Sequence, residues 1–215
     1  MGWLGPTPYR PYIAKKSLID CKELNLMNSI KILQILKQDY EARFFQSITF
    51  LGLFKYAFFC IGFRVVVLYR IGCWMNERSS HYVVLRLITM LLKNHLLIKY
   101  SVELSFVYPA GPGLVLPHPH NLVVGRGARL GSNITIYNGV TLGALRTGDS
   151  DDCNNFPKLH DHVTVFTGAK VLGDISVGSN SVIAANSVVL KSCPSNSLLG
   201  GVPARLLKLD KTKHD

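Results

Sequence analysis

At 215 residues, 48% of them hydrophobic and 17% charged, the chain can form one large domain or two modest ones. Its five cysteines are scattered without a CxxC pair, which argues against a disulfide framework or a structural zinc site and favours a reducing compartment. Residues 1–100 hold 14 lysines and arginines against 5 acidic residues and so carry most of the net charge of +11. Such a surface suits nucleic acid, anionic lipid or an anionic polymer. Because no nucleic-acid-binding motif is present, we expect no nucleic-acid partner, and an ordinary solvated basic face explains the charge equally well.

The first hundred residues predict an irregular arm followed by helices. Residues 1–20 contain three prolines and lack periodicity, so we expect an irregular arm without the features of a cleavable signal peptide. In residues 21–100 apolar side chains such as Leu26 and Ile30 recur at helical spacing, which predicts a helical domain. Residues 48–75 are strongly apolar but are interrupted by lysine and arginine. We therefore favour helices that pack on other subunits or lie on a membrane surface over a transmembrane span.

From residue 101 onward a six-residue period replaces the helical one. Ten small aliphatic residues keep this period in two runs: Val124, Leu130, Ile136 and Leu142, then Leu159, Val165, Val171, Val177, Ile183 and Val189. A helix repeats at about 3.6 residues and a strand at about 2.0, so neither element explains the pattern. The period predicts a solenoid in which three hexapeptides form one coil and the aliphatic residues stack inside a triangular prism. Ordinary hairpins with coincidental spacing are the alternative.

The repeat is interrupted once, at residues 144–158, which are polar, acidic and rich in turn-forming residues. We predict a loop extruded from one corner of the coil, and loops on rigid scaffolds often carry function. The repeat then resumes, so residues 101–207 form the predicted solenoid domain and residues 208–215 form a charged tail.

Two stretches of the second half resemble the hexapeptide-repeat acyltransferases, and within them the serine acetyltransferase branch. They read LPHPHNLVVGRGARLGSNITIYNGVTLGA and VFTGAKVLGDISVGSNSVIAANSVVLKSCPSNSLLGGVPAR. The resemblance is strong over about residues 101–207 and only architectural over residues 20–100. It implies an α+β fold in which an N-terminal α-helical domain precedes a left-handed parallel β-helix of hexapeptide repeats. It also implies a homotrimer, or two trimers joined through the N-terminal helices.

The resemblance implies transfer of an acetyl group from acetyl-CoA to a hydroxyl, with a histidine as the general base. Residues 116–121 match the family segment that carries this base, which assigns the role to His118. The family's partner carboxylate lies fifteen residues earlier and falls on Glu103, which we expect to stack beside His118 and orient its ring. His120 is the rival base and is otherwise a substrate contact or a surface residue. A corner histidine without a role is the alternative for His118, and a solvated or helix-capping carboxylate is the alternative for Glu103. The His-x-His pair lacks a third ligand at suitable spacing, so we expect no metal.

Matching to the family also predicts the groove for acetyl-CoA, where small residues let the pantetheine arm approach the main chain. The predicted groove residues are Gly143, Ala144, Thr167, Gly168 and Ala185. Lys191 and Arg205 would contact the CoA phosphates, with ordinary solvated charge as the alternative. His160 and His162 either border a neighbouring subunit's site or are polar surface residues.

Two departures from the family pattern bear on the acceptor. Pro117 stands where the serine enzymes carry Asp, and Asn155 and Phe156 stand where they carry Arg and His. Because charges that hold an amino acid are lost, we predict a sugar acceptor in a bacterial capsule, exopolysaccharide or O-antigen, contacted by His120, Asn155 and the ring of Phe156. A serine O-acetyltransferase of cysteine biosynthesis and a non-catalytic trimeric β-helix scaffold are the alternatives. We expect a cytoplasmic protein, peripheral on the inner membrane face if its acceptor is a lipid-linked glycan.

Overall fold

The computed structural model describes residues 21–47, 49–79, 82–146 and 155–209. The predicted arm over residues 1–20, most of the predicted extruded loop and the end of the predicted tail lie outside these ranges.

Four helices precede the strands: α1 (Cys21–Phe44), α2 (Phe50–Phe59), α3 (Ile61–Arg78) and α4 (Val83–Tyr100). The Thr49 hydroxyl caps α2 by accepting a hydrogen bond from the Gly52 amide at 3.1 Å. Helix α3 packs against the other three helices, and its buried face includes Phe63, Val66 and Tyr69. In the described part of the chain, none of the helices is long and apolar enough to cross a membrane.

Within the described residues, thirteen short strands follow the helices. Their bounds are β1 (Val102–Leu104), β2 (Leu122–Val124), β3 (Arg129–Leu130), β4 (Thr135–Ile136), β5 (Thr141–Gly143), β6 (Lys158–Leu159), β7 (Thr164–Val165), β8 (Lys170–Leu172), β9 (Ser176–Val177), β10 (Val182–Ile183), β11 (Val188–Val189), β12 (Ser197–Gly201) and β13 (Ala204–Leu209). They form three sheets, ordered β1-β2-β5-β8-β11, β13-β12-β10-β7-β4 and β3-β6-β9. All neighbours are parallel except the closing pair β12 and β13, which is antiparallel. From β2 to β11 successive strands visit the three sheets in turn, so this part of the chain forms a three-sided parallel β-helix.

The residues of the six-residue period form the core of this coil. Nine of the ten are buried, with exposed fractions between 0% and 5%, and Leu130 is half-buried. Each sits in or beside a two- or three-residue strand, where its side chain points inward. Stacking of aliphatic side chains of similar size therefore explains why each six-residue repeat of the sequence forms one side of a coil.

The pairing register shows where the coil departs from a regular length. Val123 pairs with Thr141 and Lys170 pairs with Val188, and these two pairs have the same separation along the chain, which is that of three hexapeptides. Glu103 pairs with Val123 across a slightly longer separation, so the first coil contains extra chain.

The longest coil holds the interruption of the repeat. Thr141 pairs with Lys170 across a much longer stretch of chain than a regular coil uses, and the excess is the inserted segment. Thr141 and Lys170 are 29 positions apart and a regular coil such as Val123 to Thr141 uses 18, so the insertion adds 11 residues, fewer than the 15 of the predicted loop.

Candidate active site

The segment before β2 presents two histidines on a tight turn. His118 and His120 are exposed, while Leu116 and Pro119 are buried and fix the turn from the inside. The His120 amide donates to the His118 carbonyl at 2.8 Å, and the Gly139 amide of the next coil donates to the His120 carbonyl at 2.9 Å. The buried side chains and these bonds hold both imidazoles toward solvent on a defined backbone.

Glu103 lies at the exposed centre of β1, where the register pairs it with Val123. No hydrogen bond joins Glu103 to His118 among the described residues of this chain. His118 lies on the turn that precedes Val123, so orientation of the His118 ring by Glu103 stays a prediction.

A cavity of about 530 Å³ opens beside Glu103, between the helices and the first coil. Its wall combines the Glu103 carboxylate with the cations Lys93 and Arg126 and with the polar side chains of Asn76 and Ser105. Lys93 on α4 and Asn76 on α3 were not predicted as site residues, because in the sequence they are polar residues of helices with no motif around them. The cavity therefore offers fixed charges of both signs to a small polar molecule.

Three of the predicted CoA residues meet at one corner of the coil. Thr167 and Gly168 form the turn before β8, and Ala185 lies on the turn before β11, one coil further on. The Asn186 amide donates to the Thr167 carbonyl at 2.9 Å, which stacks the two turns. Gly168 has a φ of +74°, and a Cβ there would lie 2.2 Å from Oδ1 of Asn186, so only glycine fits.

The remaining predicted CoA residues lie elsewhere. Gly143 ends β5 and Lys191 lies just beyond β11, so with Ala144 they stand at the opposite end of the same sheet's strands. Arg205 is exposed on β13, paired with Gly200 on the closing hairpin. The structure thus divides the predicted groove between two corners of the coil and the hairpin that caps it.

Phe156 is a core residue and not the predicted platform for a sugar ring. Its side chain is 4% exposed and packs over Gly125, where a Cβ would lie 2.4 Å from the ring. Asn155 beside it is half-buried. The glycine directly after β2 creates the space that Phe156 fills, so the ring anchors the end of the inserted segment to the coil.

His160 and His162 make contacts within the chain. A ring nitrogen of His160 lies 2.9 Å from the Ser176 hydroxyl, and one of His162 lies 3.5 Å from the Asn133 side chain. In the described residues, no three histidine, cysteine or acidic side chains are grouped as metal ligands would be.

Comparison with known proteins identifies the relatives of this fold. No protein-family model matches the chain. Over 146 residues the chain is 34% identical to the serine acetyltransferase of Escherichia coli strain K12, covering 68% of this chain and 50% of that protein. The crystal structure of serine acetyltransferase from Brucella abortus strain S19 superposes with a TM-score of 0.72 at 31% identity, over 86% of this chain and 72% of the other. This chain belongs to the serine acetyltransferase-like branch of the hexapeptide-repeat acyltransferases.

A second Brucella abortus structure, serine acetyltransferase in complex with coenzyme A, gives a TM-score of 0.72 at 30% identity, over 86% of this chain and 71% of the other. This serine acetyltransferase-like chain places its described helices before its parallel sheets. It spans about half the length of the curated relatives it matches.

The relatives overturn the prediction of a polysaccharide acceptor, since those that match this serine acetyltransferase-like chain are serine acetyltransferases. The prediction relied on lost charges at Pro117, Asn155 and Phe156. The side chain of Phe156 is buried in the core, so this position does not contribute to an exposed acceptor site. The charged side chains of the cavity beside Glu103 come from the helices and the first coils, outside the segments in which the departures occur.

Proposed function

We propose that this chain is a serine O-acetyltransferase, which transfers the acetyl group of acetyl-CoA to the hydroxyl of L-serine. The observation that carries the proposal is the match to a serine acetyltransferase at 31% identity over 72% of that protein's length. The exposed His118, at the position of the family's general base, supports the same chemistry. We also infer that the β-helix is left-handed, as the family resemblance implies.

The charges beside Glu103 suit an amino-acid acceptor. Free serine carries an ammonium and a carboxylate, and charge-assisted hydrogen bonds to each strengthen its binding. Glu103 supplies a negative charge, and Lys93 and Arg126 supply positive ones, on the wall of a single cavity. His118 does not line this cavity, so the charges support the class of acceptor and not the pose in which its hydroxyl meets the base.

In the proposed reaction His118 removes the proton of the serine hydroxyl while the hydroxyl oxygen attacks the carbonyl carbon of the thioester. The carbon–sulfur bond then breaks, and the imidazolium returns the proton to the departing CoA sulfur. O-acetylserine and CoA are the products, and His118 regains its neutral form. A positioned base of this kind contributes about 10²–10⁴-fold to the rate.

Several residues remain predictions within this proposal. Thr167, Gly168 and Ala185 would border the pantetheine arm at one corner of the coil. The rest of acetyl-CoA would contact Gly143, Ala144, Lys191 and Arg205.

We propose a homotrimer, because large apolar side chains on α2 and α4 are exposed in the single chain, as Phe54 at 73% and Ile98 at 84% show. A cytoplasmic location, contact with a membrane surface and joining of two trimers likewise remain predictions.

The proposal is tested by following loss of the acetyl-CoA thioester with the purified full chain and L-serine, and by identifying O-acetylserine by mass spectrometry. We expect turnover with L-serine, and about 10³-fold lower kcat in His118→Ala, as the size of general-base catalysis predicts. His120→Ala is the matched control, with an expected loss below about tenfold, because a substrate contact two residues away does not move the proton. CoA binding without turnover of serine would refute the acceptor, and full activity of His118→Ala would refute the mechanism.

A further inference from the structure

The main chain that leads to His118 is supported by helices as well as by the next coil of the β-helix. Within residues 105–121, all of which the structure describes, six main-chain hydrogen bonds and the isolated bridge between Val115 and Thr135 join the segment to the next coil. Other polar groups of this segment bond to α3. The Ala110 amide donates to the Tyr69 hydroxyl at 2.9 Å, and Arg70 donates to the carbonyls of Ala110 at 2.5 Å and Gly111 at 2.7 Å.

A buried ion pair fixes the same segment from a second helix. Arg70 donates to both carboxylate oxygens of Asp39 on α1, at 2.8 and 2.9 Å, and the two side chains are 3% and 0% exposed. Asp39 also accepts the amide of Leu114 at 2.8 Å. Removing the Asp39 carboxylate would leave the Arg70 charge and the Leu114 amide without this buried acceptor.

Gly62 on α3 brings the helix backbone against the residues just before His118. A Cβ on Gly62 would lie 2.0 Å from the Leu116 carbonyl oxygen and 3.4 Å from that of Pro117. These neighbours are main-chain atoms, so they cannot be relieved by a rotamer change. A side chain at this position would have to push the backbone that presents His118.

Gly72 on the same helix provides a matched contrast. A Cβ there would lie 2.4 Å from the ring of Phe106. The contact is similarly close and equally buried, but it is made with a side-chain ring and not with the main chain next to the histidine. Substitution at Gly72 therefore reports on packing of α3 without pushing directly on the backbone at Leu116 and Pro117.

We infer that Gly62 and the Asp39–Arg70 pair are positioning residues, through which α1 and α3 set the location of the His118 imidazole. The inference rests on the proposed function, in which His118 is the general base. A displacement of about 1 Å at a catalytic group can cost about 10²-fold in rate, which makes the helix contact a determinant of kcat.

The test compares Gly62→Ala with Gly72→Ala in the full chain. We expect Gly62→Ala to lower kcat for serine acetylation by about 10²-fold, with the KM for acetyl-CoA changed by less than about threefold. Gly72→Ala, corrected for its folded fraction, is expected to stay within about threefold of the unsubstituted chain. Equal losses in the two variants would overturn the positioning role, since both disturb the same helix.

A spectroscopic readout separates this inference from the proposed function. In a chain labelled only at histidine, we expect the ring signals of His118, assigned with His118→Ala, to shift in Gly62→Ala and not in Gly72→Ala. Shifted signals in a chain that does not acetylate serine would leave the positioning role standing and refute the activity. Unshifted signals would overturn the positioning role.

Arg70→Lys decides the question if Gly62→Ala does not fold. Lysine keeps the charge beside Asp39 but cannot reproduce the paired bonds to the carboxylate and to two carbonyls. We expect a shifted His118 signal and about tenfold lower kcat, with less than about threefold change in the KM for acetyl-CoA. If Arg70→Lys lowers stability but leaves the His118 signals and kcat unchanged, the Asp39–Arg70 pair only stabilises the fold and the positioning role is overturned.

Discussion

The first coil of the β-helix and the coils above it are held by different forces. In the upper coils, side chains such as Val165 and Ile183 are fully buried in the aliphatic stack, and their short strands pair with strands above and below. In the first coil, residues 105–121 also bond to the next coil, but α1 and α3 add hydrogen bonds from buried side chains to the same segment. The residue proposed for catalysis lies in this second kind of structure. The helices therefore add rigidity to the segment that turns His118 outward.

The strongest test of this contrast is Asp39→Ala, which removes one partner of the buried pair beneath the first coil. The free energy of unfolding should fall by about 3–5 kcal/mol, because Arg70 remains buried without a counter-charge. Urea unfolding of the purified variant measures this loss. Glu41→Ala on the same helix is the control, since its pair with Lys37 is exposed at the surface and is worth about 0.3–0.5 kcal/mol. Similar losses in both variants would show that the first coil does not depend on the buried pair.

Glu103→Gln tests whether the cavity beside the first coil binds the acceptor. If the carboxylate holds the serine ammonium, the KM for L-serine rises by about tenfold or more while kcat changes little, as loss of one charge-assisted contact implies. If the carboxylate orients the base, kcat falls instead and its pH profile shifts. Steady-state kinetics against L-serine over a range of pH distinguishes the two. Unchanged KM and kcat would leave Glu103 as a solvated surface residue.

Ile183→Val probes the aliphatic stack of the upper coils. Removing one methylene from a fully buried position is expected to cost about 0.5–1.5 kcal/mol of stability and to leave serine acetylation unchanged. Thermal or urea unfolding measures the cost. Leu190→Val, at a position 40% exposed, is the control and should be close to neutral. A drop in kcat without a drop in stability would contradict the expectation that the aliphatic stack of the upper coils acts on stability alone.

The reactivity of the buried Cys73 thiol reports how often the contact between α3 and the first coil opens to solvent. Burial raises the pKa of its thiol from the ordinary value of 9.0 to about 12. The thiol is therefore protonated at neutral pH, and the stability it contributes is lost only as the pH rises from 9.0 toward 12. Native alkylation mapped by mass spectrometry should modify the half-buried Cys60 and Cys193 well before Cys73. Equal rates would show that this contact opens readily.

Much of the fold and part of the site could be predicted from the sequence. The six-residue period predicts which side chains form the buried stack, because residues that stack on neighbouring coils are separated by a fixed number of positions. The turn at His118 and the corner at Thr167, Gly168 and Ala185 followed from motifs in the same way. These features are local or periodic, so the order of residues alone encodes them.

The tertiary structure decided the rest. It placed Glu103 beneath Val123, buried Phe156 over Gly125, and revealed a cavity whose charges come from helices as well as from the coil. The bond from Leu114 to Asp39 joins α1 to the first coil across a long stretch of chain and follows no period. Contacts of this range depend on how the helices pack against the first coil, and a packing angle leaves no signature in residue spacing. The sequence by itself therefore determined the prism, while only the packed helices determined where its reactive histidine is held.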